Sequence, residues 1–141
     1  MASRHKGRIL ALLGLYQREI ASTPPDEILS FKWYEKTISE EQKLLATQLI
    51  NGVLKNWDSI DRIIETYSKN RTFDQISVIN RCILRLSIYS LINMKDTPVR
   101  VTINEAIELT REYESGESVS FINGILDSVY KDYVLNSVEE N

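Results

Sequence analysis

The sequence predicts an all-α protein in which two small helical bundles pack together. Along most of the chain, apolar residues recur at steps of three and four, as they do on the buried face of an amphipathic helix. Glycine and proline, which favour turns, number only 5 and 3 in 141 residues. This scarcity favours a few long helices over many short strands.

The first helix is predicted over Ser3–Ile20. Its apolar stripe consists of Ile9, Leu13, Tyr16 and Ile20, with Leu10 and Leu12 beside it. Pro24 and Pro25 end it, because a proline disfavours helical backbone in the residue before it. A short second helix is predicted over Asp26–Tyr34.

A capping box, Ser39–Gln42, predicts the start of a long third helix. The stripe of this helix consists of Leu45, Leu49, Val53 and Trp57. An interruption is expected at 56–58, where Asp58 would cap a further helical piece that reaches Tyr67. The polar segment 68–72 is the predicted boundary between an N-terminal lobe, 1–70, and a C-terminal lobe, 71–141.

Three helices are predicted in the second lobe. The run Ile76–Leu91 is the most apolar of the chain and is expected at the centre of this lobe. The next helix follows Pro98 and reaches about Tyr113, and the last starts near Ser118 and carries its stripe to Tyr133. The polar tail, 136–141, is expected to fray.

Two five-residue segments resemble each other. Ile50-Asn51-Gly52-Val53-Leu54 is followed later by Ile122-Asn123-Gly124-Ile125-Leu126. Glycine costs about 1 kcal/mol relative to alanine inside a helix, and it often marks a close approach of another backbone. The segments indicate either two related lobes or a chance match, and Asn123 and Gly124 are interpreted as packing residues.

The charge distribution separates the first turns from the rest of the chain. Arg4, Lys6 and Arg8 lie within residues 1–8, where no acidic residue offsets them, although the net charge of the whole chain is −3. A cationic tip on an acidic body indicates a local anion site, unless the tip is incidental. Alanine at these three positions is expected to leave the fold intact, because the first apolar helical position is Ile9.

The sequence contains no recognisable catalytic constellation. One cysteine, Cys82, and one histidine, His5, cannot supply the usual zinc ligands, and Cys82 lies in an apolar run typical of a packed thiol. No carboxylate partner is evident for His5, and there is no phosphate loop or dinucleotide fingerprint. We therefore expect a protein that is not an enzyme and has no cofactor or metal. Without an export signal or a run of membrane-spanning length, a cytoplasmic location is expected.

Several segments resemble the NusB family of transcription antitermination factors. Ile103–Leu109 followed by Phe121–Asp127 is similar to the paired C-terminal signature of that family. Ile83–Tyr89 resembles its central helix, and Arg4–Arg8 followed by Gly14-Leu15-Tyr16 resembles its arginine-rich opening. The order and spacing of these segments agree over nearly the whole chain.

The resemblance implies a fold of two helical bundles and a role on RNA. Members of this family pair with NusE, a ribosomal small-subunit protein, and the pair binds boxA, a short single-stranded RNA element. Acting on the RNA polymerase elongation complex, they promote transcription of ribosomal RNA genes. The alternative is a helical protein–protein adaptor that does not bind RNA directly.

The resemblance and the charge pattern together nominate two sets of residues. Phe121 either stacks on an unpaired base or packs in the core, and Glu117 either caps the last helix or contacts RNA or a partner. The expected RNA-binding residues are Arg4, His5, Lys6, Arg8 and Phe121. The expected partner-binding residues are Tyr16, Asn80, Arg85 and Glu117, and a core role is the alternative for Tyr16.

Overall fold

The computed structural model describes residues 2–136, with side chains from residue 4 onward. Its described part contains α-helices and no strand, so the predicted all-α class is confirmed. The predicted frayed tail lies outside the described residues apart from Asn136. The helices are α1 (Ala2–Ala21), α2 (Pro25–Ser30), α3 (Glu40–Lys55), α4 (Trp57–Tyr67), α5 (Val78–Asn93), α6 (Val99–Tyr113) and α7 (Val119–Val129).

Three short helical turns of other types complete the chain. Two are 3₁₀ turns, Phe73–Gln75 before α5 and Gly116–Ser118 before α7. The third is a π-helical turn, Tyr130–Leu135, which continues α7. The last helix was predicted to run unchanged to Tyr133, so the sequence pattern located the segment but not its change of helix type.

The second and fourth helices differ from the prediction at their ends. The backbone of Phe31 is left-handed, with φ of 55°, so α2 ends at Ser30 and not at Tyr34. The indole of Trp33 then folds back and donates to the carbonyl oxygen of Ile28 at 2.9 Å. Asp58 lies within the first turn of α4 and not at its cap, because the break between α3 and α4 is the single residue Asn56.

The capping box of α3 forms as predicted. The backbone N–H of Gln42 donates to the Ser39 hydroxyl at 3.1 Å, and the backbone N–H of Ser39 donates to the Gln42 side chain at 2.9 Å. Each side chain thereby satisfies a helix-start N–H that lacks a partner within the helix. Three members of the predicted α3 stripe, Leu45, Leu49 and Val53, are buried, whereas the fourth, Trp57, begins α4 and is half-buried.

The apolar stripe predicted for α1 is wrong. Ile20 is 55% exposed, and Ile9, Leu13 and Tyr16 are only half-buried. The fully buried apolar residues are Leu10, Ala11, Leu12 and Leu15. Because α1 packs against both α3 and α5, it buries two adjoining faces and not the single stripe that the spacing indicated.

Helix α5 lies at the centre of the whole molecule, whereas the sequence predicted it at the centre of the second lobe alone. It packs against α1, α3 and α4 and also against α6 and α7, and its residues Ile83, Leu84 and Ile88 are fully buried. Cys82 is likewise buried, and burial raises the pKa of its thiol to about 12. The predicted lobes therefore share one central helix, while their division near residue 70 stays a prediction.

The two similar glycines have different surroundings. A Cβ on Gly52 would lie 2.0 Å from Cζ of Tyr89, so the Tyr89 ring of α5 occupies the space that any side chain would need. A Cβ on Gly124 would meet nothing within 4 Å, and both Gly124 and Asn123 are exposed. Gly52 is thus the close-approach glycine, and the packing role inferred for Asn123 and Gly124 is wrong.

Candidate functional site

The basic start forms the first turns of α1 and packs tightly on α3. A Cβ on Gly7 would lie 3.0 Å from Cδ2 of Leu45 and 3.1 Å from the carbonyl oxygen of Gln42. Glycine therefore lets the two helices approach here. The next residue, Arg8, also lies inward, and its side chain is only 2% exposed.

The burial of Arg8 overturns one expectation from the sequence. Alanine at Arg4, Lys6 and Arg8 was expected to leave the fold intact, because the apolar pattern begins at Ile9. Arg8 is part of the interior, so its truncation would leave a cavity beside α1. Arg4 and Lys6 are half-buried and reach the surface, so they are the positions suited to charge removal.

His5 is held by three carboxylates of α6, contrary to the expectation that it has no acidic partner. Its Nδ1 lies 2.6 Å from Oε2 of Glu105 and 3.6 Å from Oε2 of Glu108, and its Nε2 lies 2.7 Å from Oε1 of Glu112. Burial lowers the pKa of His5, but the hydrogen bonds and charges of Glu105 and Glu112 outweigh it and raise the pKa overall. Protonated His5 therefore ties α1 to α6.

The stability of the protein should depend on His5 above neutral pH. A folded-state pKa above the ordinary value of about 6.5 means that the stabilisation is fully present below that pH. It is lost as pH rises through the raised value. We expect a decrease on the order of 1 kcal/mol in the free energy of unfolding, because the partners are partly exposed.

Urea unfolding at several pH values between about 6 and 9 measures this decrease, with His5→Asn as the control. In this variant the free energy of unfolding should not decrease over this pH range. An unchanged pH profile in His5→Asn would show that the three carboxylates do not hold a charged histidine.

The same cluster has a possible metal-ligand arrangement. His5, Glu105 and Glu108 each offer a ligand atom, and these atoms lie within 4.8 Å of one another. Direct hydrogen bonding between the imidazole and the carboxylates accounts for their proximity without an ion. The prediction that the protein needs no metal therefore stays a prediction.

The two arginines of the basic start line one cleft, whereas the residues between them point elsewhere. The cleft has a volume of about 710 Å³ and lies between α1, α3 and the connection from α5 to α6, with Arg4 and Arg8 in its wall. The ammonium of Lys6 lies 5.2 Å from the centroid of the Tyr34 ring. The structure thus brings Arg4 and Arg8 together and separates His5 and Lys6 from them.

Phe121, in the first turn of α7, is half-buried against the core. The guanidinium carbon of Arg71 lies 4.1 Å from the centroid of its ring, a cation–π contact. One ring face is therefore already covered by a cation. Base stacking by Phe121, which stays a prediction, would use the other face or a rearranged Arg71, a residue that the sequence analysis did not single out.

The four expected partner-binding residues have different environments. Glu117 is exposed in the 3₁₀ turn before α7, and Tyr16 is half-buried. Asn80 is 2% exposed and its Nδ2 donates to the Ser118 hydroxyl at 3.1 Å, while Arg85 is 1% exposed. Burial leaves Asn80 and Arg85 almost no exposed surface, and their expected role in partner binding stays a prediction.

Arg85 instead belongs to a buried ion-pair network that the sequence analysis missed. It donates to Asp61 of α4 through Nε at 2.7 Å and Nη2 at 3.1 Å, and its Nη1 lies 2.6 Å from Oε1 of Glu19 in α1. Arg81 also pairs with Glu19. The sequence signal for this network was the pair of arginines one turn apart on an apolar helix, because buried arginines require acceptors.

The network sets the charge state of Glu19. Burial would raise the pKa of this carboxyl, but hydrogen bonds from Arg81 and Arg85, together with their charges, hold the pKa below its ordinary value. Glu19 therefore remains ionised at neutral pH and joins α1 to α5. Stability from this contact is present above the ordinary glutamate pKa and lost as pH falls through the lowered value.

The fold and the site define a small all-helical protein with a cationic cleft at the start of its first helix. None of its described helices is long and apolar enough to cross a membrane. Residues 5–131 match the NusB family. The chain belongs to the NusB family.

Individual relatives agree over nearly the whole chain. The transcription antitermination protein NusB of Leptospira biflexa is 50% identical over 135 residues, which are 96% of this chain and 96% of that protein. The structure of T. maritima NusB is similar with a TM-score of 0.84 at 31% identity, covering 98% of this chain and 97% of that one. A crystal structure of the antitermination factors NusB and NusE in complex with dsRNA has the same fold, with a TM-score of 0.84 at 24% identity, over 94% of this chain and 99% of that one.

Proposed function

We propose that this protein is a cytoplasmic, RNA-binding transcription antitermination factor that acts by binding and not by catalysis. It binds boxA-type single-stranded RNA together with NusE, joins the RNA polymerase elongation complex and promotes transcription of ribosomal RNA genes. The observation that carries the proposal is the pair Arg4 and Arg8 in one cleft of a NusB-family chain. Arginine offers a planar fork of donors that suits phosphate.

The comparisons support NusE as the partner and RNA as the general class of ligand. The Leptospira relative is named for transcription antitermination, and the solved NusB with this fold was crystallised with NusE and dsRNA. The exposed Glu117 and the half-buried Tyr16 are the nominated residues whose side chains could contact NusE.

NusE should increase the affinity of the protein for boxA RNA. The net charge of −3 includes the basic start, so the rest of the surface is more acidic still and should bind RNA weakly alone. Titrating labelled RNA with the protein, with and without NusE, measures the difference, and scrambled RNA of equal length is the control. Superimposable curves with and without NusE would contradict the partner proposal.

Removing Arg4 and Lys6 should weaken RNA binding and flatten its salt dependence. If Arg4, Lys6 and Arg8 each contact a phosphate, the log–log salt slope is roughly −2, and the Arg4→Ala/Lys6→Ala variant should bring it to roughly −0.7. Because phosphate contacts carry no direct sequence information, boxA and scrambled RNA should weaken by similar factors. Salt titrations of binding measure both effects.

Lys55→Ala/Lys131→Ala is the matched control for that variant. It removes the same charge at positions that are exposed and distant in sequence from the basic start, so the slope should stay near the parent value. Equal flattening in both variants would indicate a general effect of net charge and would remove the basic start from the site.

One observation favours the alternative, a protein–protein adaptor. His5 and Lys6 already have partners within the protein, the α6 carboxylates and the Tyr34 ring, so part of the basic start has an internal role. Under this alternative the Arg4→Ala/Lys6→Ala variant binds RNA as weakly as its parent and still binds NusE. The salt titration therefore distinguishes the two functions.

A further inference from the structure

The cleft beside the basic start is lined by polar and apolar groups in addition to the two arginines that could bind a phosphate. Arg4 and Arg8 form its α1 wall, Gln48 of α3 lies at one side, and residues 93–98 and Val101 close the other. Its volume of about 710 Å³ lies within the range of small-molecule sites. It is therefore large enough for a whole nucleotide.

Arg8 is an incompletely satisfied donor in this cleft. Its side chain is 2% exposed, and its Nη2 is buried without a hydrogen-bond partner among the described residues. Burial lowers the pKa of Arg8, which the charge of Glu105 opposes and the charge of Arg4 reinforces. A buried cationic donor without an acceptor is costly, and an anion in the cleft would remove that cost.

The nearest acidic group does not fill this role. Glu105 also lines the cleft, but its Oε2 lies 2.6 Å from Nδ1 of His5. This carboxylate is thus hydrogen-bonded to the imidazole and not to Nη2 of Arg8. Lys95 adds a further cation to the lining and Asp96 a further carboxylate, so three cations line the cleft with two carboxylates.

The rest of the lining suits a nucleobase. Val101 is 38% exposed and Met94 is 8% exposed, and together they offer an apolar surface on the same cleft. Gln48 and Asn93 are exposed amides, which can donate and accept at once, as base edges do. Asp96 can accept from the exocyclic amino group of adenine or cytosine, which uracil lacks.

We propose that this cleft is a subsite for one unpaired nucleotide of the bound RNA. Arg4 and Arg8 bind its phosphate, Val101 and Met94 contact the base, and Gln48, Asn93 and Asp96 select a base with an exocyclic amino group over uracil. The inference rests on the proposed RNA-binding function and adds base selectivity to a region that charge alone would make unselective.

The test measures binding of oligo(A), oligo(C) and oligo(U) of equal length to the full chain with NusE present, at low salt. The parent should bind oligo(A) or oligo(C) roughly tenfold more tightly than oligo(U), within the discrimination typical of a paired base edge. Gln48→Ala should reduce that preference several-fold. Asn51→Ala, which removes an exposed amide one turn away on α3 and outside the cleft, should keep it.

A second measurement tests the phosphate part of the subsite. Arg8→Lys keeps the charge but removes the guanidinium fork, and it should weaken all three RNAs by similar factors. Inorganic phosphate added to the parent complex should also weaken binding of all three RNAs by similar factors, because free phosphate would compete with the RNA phosphate for Arg4 and Arg8.

The outcomes separate the subsite from the proposed function. RNA binding without base preference, or a preference that survives Gln48→Ala, overturns the nucleotide subsite and leaves RNA binding in place. Equal loss of preference in Gln48→Ala and Asn51→Ala overturns it too, because the selecting group would then lie elsewhere. No binding of any of the three RNAs overturns both the subsite and the proposed function.

Discussion

Replacing Arg85 by alanine is expected to lower the free energy of unfolding by about 3–5 kcal/mol, as when a buried ion pair loses one partner. Arg85 is 1% exposed, and its guanidinium bonds Asp61 with two nitrogens and Glu19 with the third. It also lies 4.0 Å from the centroid of the Trp57 ring. Truncation would leave two carboxylates without this cation and a cavity between α1, α4 and α5.

Urea unfolding followed by far-UV circular dichroism measures the loss, since most of the signal is helical. Lys131→Ala is the control, because the Lys131–Asp127 pair is exposed at 64% and 50% and joins residues four apart. Removing that pair should cost less than about 0.5 kcal/mol. Comparable costs in the two variants would show that the Arg85 network contributes no more than a surface ion pair.

Replacing Gly52 by alanine is expected to lower the free energy of unfolding by about 1–3 kcal/mol, the usual cost of overpacking. Alanine gains about 1 kcal/mol of intrinsic helix preference over glycine. That gain is outweighed because the new Cβ would lie 2.0 Å from Cζ of Tyr89. The Tyr89 ring would have to move away from its packed position over Gly52.

Gly124→Ala is the matched control within the similar segment of α7. Its Cβ would meet nothing within 4 Å, so only the higher helix propensity of alanine affects stability. The variant should therefore be stabilised by up to about 1 kcal/mol. The two substitutions should therefore have opposite signs in the same urea experiment. A stabilised Gly52→Ala would mean that the Tyr89 ring does not pack over this glycine.

Local patterns located most elements correctly. The Ser39–Gln42 capping box, the first three positions of the α3 stripe and the apolar character of α5 are properties of neighbouring residues, and each appears in the structure as predicted. The predicted ends of helices were wrong where the backbone conformation of one residue or one turn set the end. The left-handed Phe31 ends α2 early, and the π-helical turn alters the end of α7.

The candidate site was predicted less completely than the fold. Charge clustering drew attention to the basic start, but it gave no reason to separate the environments of Arg4, His5, Lys6 and Arg8. The structure gives them different environments: a cleft for Arg4 and Arg8, three carboxylates for His5 and an aromatic ring for Lys6. Those partners come from other helices, so residue spacing in α1 contains no information about them.

The sequence by itself determined the helical class, the apolar character of α5 and the family, because periodicity, capping residues and signature segments are local features of the chain. Only the tertiary structure decided which side chains face inward and which charges meet. Glu19 and Arg81 are 62 positions apart, and His5 and Glu105 are 100 positions apart. The packing of α1 against α3, α5 and α6 brings them together, and burial then sets their protonation and leaves Arg8 as an open donor in the cleft.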